Sequence, residues 1–202
     1  VKLDITKKNE FSRLDKYTQV YHLAAINGTS NFYSKPDEVL KVGAIGTLNV
    51  LDWFVESKSK KLLFSSSSET YAGTKKILGS KFPIPTPEKV PLSIDDPSNP
   101  RWSYGAGKLL GEVAVHSYAH KYHIDFSIVR YHNVYGPRMG FEHVIPQFIG
   151  RIISKENPFR IYGGKETRAF CYVDDAVAAT RLVMEKNSAT GETVNIGRSE
   201  EI

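Results

Sequence analysis

The sequence is short of cysteine: Cys171 is the only one in 202 residues. A single cysteine excludes an internal disulfide and any metal site built on cysteines, and we predict no bound metal. Because nothing in the chain needs an oxidising compartment, the sequence favours a cytoplasmic protein. We interpret Cys171 itself as a small buried apolar residue.

Long hydrophobic runs and clusters of one charge are missing as well. No apolar stretch approaches the ~20 residues that a membrane-spanning helix needs, and no secretory leader opens the chain, so we expect no membrane association. The net charge is +5, but the 27 basic residues are spread along the chain rather than gathered in one run. This distribution does not indicate a nucleic-acid partner, and it suits a small phosphate-bearing substrate better.

Apolar runs of strand length alternate along the chain with longer stretches of helical period. Strands are predicted at residues 19–25, 61–65 and 125–131, and helices at residues 36–56 and 101–123. The alternation predicts an α/β fold with a parallel sheet and right-handed crossovers. A helix is predicted at residues 144–154, short strands or extended segments at 159–164 and 168–173, a helix at 174–186 and a final strand at 193–197. Loops are predicted at residues 26–35 and at the proline-rich stretch 83–100.

Small and hydroxyl-bearing side chains cluster where two of these strands end. Ala24 and Ala25 close the first predicted strand, and residues 65–68, all serines, follow the second. Because ligands bind outside the carboxyl ends of parallel strands, these serines are candidates for a binding site. The alternative is a serine-rich loop that only caps the next element.

Tyr104 and Lys108 stand four residues apart in the predicted helix 101–123 and therefore share one face. A lysine ammonium group close to a phenol favours the phenolate, so we predict a tyrosine pKa lowered from about 10. A tyrosine of this kind can take a proton from a sugar hydroxyl. The same spacing occurs on the exposed faces of ordinary amphipathic helices, so the pair alone does not establish a catalytic site.

Six segments, taken in order, carry a resemblance to a known family: VYHLAA, GTLNVLDWF, LLFSSSSETYAG, YGAGKLLGE, VRYHNVYGPRM and RAFCYVDDA. They resemble the extended branch of the short-chain dehydrogenase/reductase family, the NAD-dependent nucleotide-sugar epimerases, 4,6-dehydratases and decarboxylases. The resemblance implies a Rossmann-type doubly wound parallel sheet with a small C-terminal substrate-binding domain. It assigns residues 1–131 and 168–188 to the NAD-binding domain, and residues 132–167 and 189–202 to the substrate-binding portion.

The same resemblance implies roles for individual residues. Tyr104 would be the catalytic base, Lys108 its electrostatic support and a ligand of the nicotinamide ribose, and Ser67 their hydroxyl partner. Glu69 stands where the dehydratases and decarboxylases of the family keep a glutamate. NAD contacts are expected from Asp4, Ile5, Leu23, Ala24, Ala25, Ser65, Tyr104, Lys108 and Tyr131. Contacts to a nucleotide-diphosphate sugar are expected from Ser67, Ser68, Asn133 and Arg168.

Three features depart from the family pattern. The glycine-rich phosphate turn that follows the family's first strand is absent, so we expect a fragment that lacks the first strands of the dinucleotide fold. Gly43 stands where the family often has an asparagine, which puts one cofactor contact in doubt. The sequence ends at Ile202, before the family's usual C-terminal substrate-binding region, which weakens any assignment of the substrate.

The resemblance therefore predicts transient oxidation of a sugar at C4 by tightly bound NAD, as in UDP-glucose 4-epimerase. A nucleotide-sugar 4,6-dehydratase or a UDP-glucuronate decarboxylase is the alternative, because Glu69 does not separate these reactions from epimerisation. A non-catalytic dinucleotide-binding regulator and an NADP-dependent reductase are further alternatives. Family members commonly pair through helices such as 36–56 and 101–123, so a homodimer is expected.

Overall fold

The computed structural model describes residues 1–161 and 167–202, which form α-helices around parallel strands. The strands are β1 (Gln19–His22), β2 (Lys61–Ser67), β3 (Asp125–Tyr131), β4 (Val134–Tyr135), β5 (Cys171–Tyr172) and β6 (Thr193–Ile196). The α-helices are α1 (Thr29–Ser34), α2 (Pro36–Lys41), α3 (Thr47–Glu56), α4 (Ala72–Leu78), α5 (Ser103–Tyr122), α6 (Val144–Ile153) and α7 (Val173–Glu185). The main sheet has the order β1-β2-β3-β6 and is parallel throughout, which confirms the predicted fold class.

β2 is a central strand, and helices cover both faces of the sheet around it. Leu62 and Phe64 pack into a hydrophobic cluster with residues of α3 and α5, whereas Leu63 joins a second cluster with residues of α7. Successive side chains of a strand point to opposite faces, so this alternation shows that the two clusters lie on opposite sides of the sheet. A strand buried on both faces explains the continuous apolar run that opens β2.

The predicted helix 36–56 is one helical segment with a π-helical turn, Val42–Gly46, between α2 and α3. Gly43 in this turn approaches Gly107 of α5 closely: a Cβ atom on Gly43 would lie 3.2 Å from the Cα atom of Gly107. Any larger side chain would push the two helices apart. The residue that departs from the family pattern therefore permits close contact of two backbones.

Several local predictions are wrong. Thr29–Ser34 form α1 inside the predicted loop 26–35. β1 ends at His22, three residues before the predicted end, whereas β2 continues to Ser67. In the segment 168–173, predicted as a short strand or an extended piece, only Cys171 and Tyr172 form a strand, β5. The segment 159–164, predicted in the same way, forms no strand at residues 159–161, and its remaining positions lie outside the described residues.

The final strand belongs to the main sheet. β6 pairs with β3 in parallel register, from Ile128 opposite Thr193 to Tyr131 opposite Ile196. Residues 189–202, which the sequence assigns to the substrate-binding portion, thus include a strand of the main sheet; the division into two portions otherwise stays a prediction. Within the described ranges, none of the helices combines the length and the apolar character that crossing a membrane requires.

Candidate active site

Two clefts open near the carboxyl ends of the parallel strands. The first cleft has a volume of about 730 Å³ and is lined mainly by the ends of β1, β2 and β3 and by one side of α5 and α7. Its lining includes Leu23, Ala25, Ser65, Ser66, Ser67, Tyr104, Lys108, Tyr131, Val173 and Val177. The second cleft has a volume of about 600 Å³. Ser68, Glu69 and Asn133 line both clefts, so the two are neighbours.

Ser67 ends β2 and is fixed by its local hydrogen bonds. Its hydroxyl oxygen accepts a hydrogen bond of 3.2 Å from the backbone N–H of Glu69, and its carbonyl oxygen accepts one of 2.8 Å from the Thr70 hydroxyl. This serine therefore caps the short 3₁₀ turn Ser68–Tyr71 while it also lines the first cleft. Ser67 therefore has the capping role that the sequence allows, and its role in binding stays a prediction.

Lys108 is buried, with 5% of its surface exposed, beside the end of β2. Its ammonium group donates hydrogen bonds to the carbonyl oxygen of Ser65 at 2.5 Å and to the Ser65 hydroxyl at 3.3 Å. Burial lowers the pKa of Lys108 to about 8, and no carboxylate acts on it in the described part of the chain. The first cleft thus contains a cation that is stabilised by oxygen dipoles rather than by a counter-ion.

Tyr104 lies one helical turn before Lys108, and the Lys108 ammonium nitrogen is 5.5 Å from the centre of the phenol ring. The pKa of Tyr104 is raised to about 12, first by burial of the phenol and then by the negative charge of Glu69. The Ser67 hydroxyl acts in the opposite direction, as a hydrogen-bond partner of the phenol. The predicted lowering of this pKa is therefore wrong for the polypeptide alone, because desolvation outweighs the nearby cation.

Glu69 forms an ion pair with Arg101, at 2.6 Å between Oε1 and Nη2. The second oxygen, Oε2, and the Arg101 Nη1 atom are both buried and have no hydrogen-bond partner among the described residues. The pair thus uses only one of the two hydrogen bonds that a carboxylate and a guanidinium group can form. Arg101 lines the second cleft, and Glu69 lies between the two clefts.

The second cleft contains the residues predicted to bind the nucleotide diphosphate. Asn133 and Arg168 both line it, together with three further cationic side chains, Lys75, Arg101 and Arg198. The Asn133 amide donates a hydrogen bond of 3.0 Å to the carbonyl oxygen of Ala169. This bond joins the chain after β3 to the residue that follows Arg168. The structure therefore brings Asn133 and Arg168 together in a cationic cleft beside Ser68.

The predicted NAD contacts divide into two groups. Leu23, Ala25, Ser65 and Tyr131 line the first cleft with Tyr104 and Lys108. Ala24 does not line it, and neither do Asp4 and Ile5. The Asp4 carboxylate accepts hydrogen bonds from Thr6, and Ile5 packs against Gly46 of the π-helical turn. The roles of these three residues stay predictions.

Sequence analysis did not identify Phe32 and Arg101, which contact Tyr104 and Glu69 respectively. Phe32 lies in α1, and its ring stacks on Tyr104 with a centroid separation of 5.1 Å and an angle of 18°. No sequence signal identifies it, because the contact depends on a helix in a predicted loop. Arg101 was detectable in principle, since it lies three residues before Tyr104 at the helix start and has a charge opposite to Glu69.

A buried network of polar side chains contacts the end of β2. Glu112 of α5 accepts hydrogen bonds from the Ser66 hydroxyl and, through both carboxylate oxygens, from Arg130 of β3 at 2.9 and 2.6 Å. Arg130 also donates to the Tyr71 hydroxyl at 2.6 Å. Because these groups join β2, α5 and β3, they fix the relative positions of Ser67 and Tyr104.

A parallel sheet with a serine at the end of a central strand, and a tyrosine and lysine one turn apart on the next long helix, defines a Rossmann-type fold of the short-chain dehydrogenase class. The sequence matches the NAD dependent epimerase/dehydratase family over residues 1–197, and the chain belongs to this family. The cofactor of the family is NAD, as the resemblance predicts.

The relatives of this chain bear the names of enzymes with different reactions. UDP-N-acetyl-alpha-D-glucosaminuronate decarboxylase from Bacillus cytotoxicus is 36% identical and is matched over 100% of this chain and 60% of its own length. The structure of UDP-glucose 4-epimerase from Thermotoga maritima with UDP-glucose is 30% identical, with a TM-score of 0.83 over 100% of this chain and 63% of its own. UDP-glucuronic acid 4-epimerase from Bacillus cereus, in complex with UDP-glucuronic acid and NAD, is 27% identical, with a TM-score of 0.80 over 100% of this chain and 60% of its own. The chain thus spans about 60% of the length of such relatives.

Proposed function

We propose that this protein is an NAD-dependent enzyme that oxidises a nucleotide-linked sugar transiently at C4. The observation that carries the proposal is the convergence of Ser67, Tyr104 and Lys108 on the first cleft. A hydroxyl, a phenol and a buried cation at one place are the groups needed to hold a sugar oxygen and to move its proton.

The first cleft suits the nicotinamide half of NAD. Lys108 directs a buried ammonium group with no counter-ion in the described residues towards it, and its free donor capacity fits ribose hydroxyl groups. Val173 and Val177 provide an apolar wall for a flat ring, and Ala25 leaves space at the end of β1. When bound, oxidised NAD supplies a hydride acceptor and a positive charge that favours the phenolate.

Tyr104 takes the proton of the sugar 4-hydroxyl in this proposal and later returns it. The Ser67 hydroxyl donates a hydrogen bond to the same sugar oxygen and holds it beside the phenol. Lys108, whose pKa is about 8, is charged at neutral pH and stabilises the phenolate. Because the polypeptide holds the Tyr104 pKa at about 12 with Lys108 already in place, the proton transfer also needs the positive charge that oxidised NAD supplies when bound.

The second cleft suits the nucleotide diphosphate of the substrate. The Arg168 guanidinium group can donate two hydrogen bonds to phosphate oxygens, and Lys75 and Arg198 add positive charge around it. Asn133 lines both clefts and so stands between the diphosphate and the sugar. A substrate in this arrangement extends from the second cleft into the first.

Epimerisation at C4 ranks first, because it needs no group beyond Ser67, Tyr104 and Lys108. The 4-keto sugar turns over, and its C4 is reduced on the opposite face. Decarboxylation of a uronic acid is the second candidate, and the Glu69–Arg101 pair favours it. Arg101 can bind a carboxylate in the second cleft, and loss of CO2 from the 4-keto sugar breaks the bond between C5 and C6.

Product analysis tests the proposal. Purified protein is incubated with NAD and either UDP-glucose or UDP-glucuronic acid, and products are followed by NMR and by CO2 release. Conversion to the C4 epimer without CO2 supports epimerisation, whereas CO2 release from UDP-glucuronic acid alone supports decarboxylation. NAD binding without turnover of either sugar would contradict both candidates and favour a regulator.

We also propose that the protein is a homodimer that works in the cytoplasm. The two-portion domain division given above is kept as part of the proposal, except that β6 belongs to the main sheet. Apolar side chains are exposed on helices that contact each other: Leu40 on α2, Leu48 on α3, and Leu110 and Val113 on α5. A second copy of the chain would cover them. Light scattering should give twice the chain mass, and Leu48→Glu should give a monomer, whereas Ile77→Glu on exposed α4 should not.

A further inference from the structure

Phe32 makes two contacts that the proposed chemistry does not use directly. Its side chain is buried, with 3% of its surface exposed, and its ring stacks on the Tyr104 phenol at 5.1 Å. The central carbon of the Arg101 guanidinium group lies 5.1 Å from the centre of the same ring. One phenyl ring thus contacts both the phenol of the first cleft and the cation paired with Glu69.

These contacts link Phe32 to the charge beside Tyr104. Arg101 pairs with Glu69 at 2.6 Å, and Glu69 is the charged group that raises the Tyr104 pKa. A carboxylate that stays paired with a guanidinium group repels a phenolate less than an unpaired one. The ease with which Tyr104 loses its proton therefore depends on where Arg101 lies.

The aromatic face, rather than apolar volume, is what both contacts require. A ring presents negative charge density on its face, which attracts a guanidinium cation, and two rings stack with a defined separation. A leucine is apolar but smaller, and it has no aromatic face that could produce either effect. Phe32 lines neither cleft, so it acts through its neighbours and not on a ligand.

We propose that Phe32 is a positioning residue, which holds the Tyr104 phenol in the first cleft and keeps Arg101 on Glu69. This inference rests on the proposed function, because it concerns proton transfer by Tyr104. It adds a determinant in α1, a helix that contributes no catalytic group of its own in the account above.

The test compares Phe32→Leu with Phe32→Tyr, which keeps the ring, and with Tyr33→Leu, a neighbour that is 55% exposed. Phe32→Leu should lower kcat about 10-fold with KM within about two-fold, a loss smaller than that of a general base itself. The limb of the kcat–pH profile that reports Tyr104 should move to higher pH, since Glu69 is less well neutralised. Phe32→Tyr should restore both values, and Tyr33→Leu should change neither.

Two further measurements separate positioning from simple core packing. NAD affinity, followed by fluorescence quenching, should stay the same in Phe32→Leu, because Phe32 lines neither cleft. If Phe32→Leu fails to fold, Phe32→Met provides the same test of the pH profile, because methionine is also apolar and has no aromatic face. Adding Glu69→Gln to either variant removes the negative charge beside Tyr104, so the limb of the kcat–pH profile that reports Tyr104 should return to lower pH.

The inference is wrong if Phe32→Leu, or Phe32→Met in its place, keeps the parent pH profile while only its melting temperature falls. If Tyr104→Phe is inactive and the Phe32 variant keeps the parent pH profile, only the positioning role is wrong and the proposed function stands. Full activity of Tyr104→Phe would instead remove the proposed function, and the inference with it.

Discussion

Lys108 donates a hydrogen bond of 2.5 Å from its ammonium group to the carbonyl oxygen of Ser65, and so fastens α5 to the end of β2. Tyr104 precedes Lys108 by one helical turn, so the same bond directs the face of α5 that carries the phenol towards Ser67. This contact requires a buried cation. The burial makes the stability of the fold depend on pH.

The folded protein should gain stability through Lys108 as the pH rises from about 8 to 10.5. Its pKa is about 8 in the folded protein and 10.5 without the fold. In this window the unfolded chain binds a proton at Lys108 that the folded chain does not, so stability rises with pH. The shift corresponds to on the order of 3 kcal/mol.

Lys108→Met removes this titration and serves as the reference. The free energy of unfolding of both proteins is measured with urea at several pH values between 8 and 10.5. The value for the parent minus the value for Lys108→Met should increase as the pH rises. A difference that stays constant with pH would show that burial does not shift the Lys108 pKa.

Glu112→Gln should destabilise the protein by about 3–5 kcal/mol, because it leaves the buried Arg130 cation without its counter-ion. Both partners are nearly inaccessible, with Glu112 3% and Arg130 5% exposed. The exposed pair Arg181–Glu185 is the matched control, and Glu185→Gln should cost less than about 1 kcal/mol. Denaturant titration measures both, and equal effects of the two substitutions would contradict a structural role for the buried pair.

Gly111→Ala should destabilise the protein by about 1–3 kcal/mol through overpacking. A Cβ atom on Gly111 would meet the ring of Phe64, which is itself buried in the core. Gly150 of α6 offers the control, because a Cβ atom there has no neighbour within 4 Å. Gly150→Ala should stabilise the helix by about 0.5–1 kcal/mol, and thermal unfolding of both variants tests the contrast.

The sequence predicts the centre of the sheet well because β2 and β3 are buried along most of their length. The apolar runs in β2 and β3 leave little choice of structure, and the helices between them force parallel pairing. α1 was missed because six residues with two serines and an asparagine have no helical apolar period. Its only buried residue is Phe32, whose packing against Tyr104 depends on contacts between distant segments.

In the site too, features that depend on local sequence were predictable, whereas features that depend on contacts between distant segments were not. The family resemblance singles out Ser67, Tyr104 and Lys108, and the one-turn spacing places the last two on one helix face; their catalytic roles stay predictions. The direction of the Tyr104 pKa was not predictable, because it depends on burial and on Glu69, which only the folded chain brings near. The Glu69–Arg101 pair also depends on the fold, because it joins the 3₁₀ turn after β2 to the residues just before α5.

Replacement of the Tyr104 hydroxyl tests the central claim most directly. Tyr104→Phe, measured with NAD and the preferred UDP-sugar, should lose at least about 100-fold in kcat while its NAD affinity stays within about two-fold of the parent. Tyr118→Phe on the same helix, which removes a hydroxyl bound to Asp52 instead, should keep near-parent activity. Parent-level turnover by Tyr104→Phe would contradict the account.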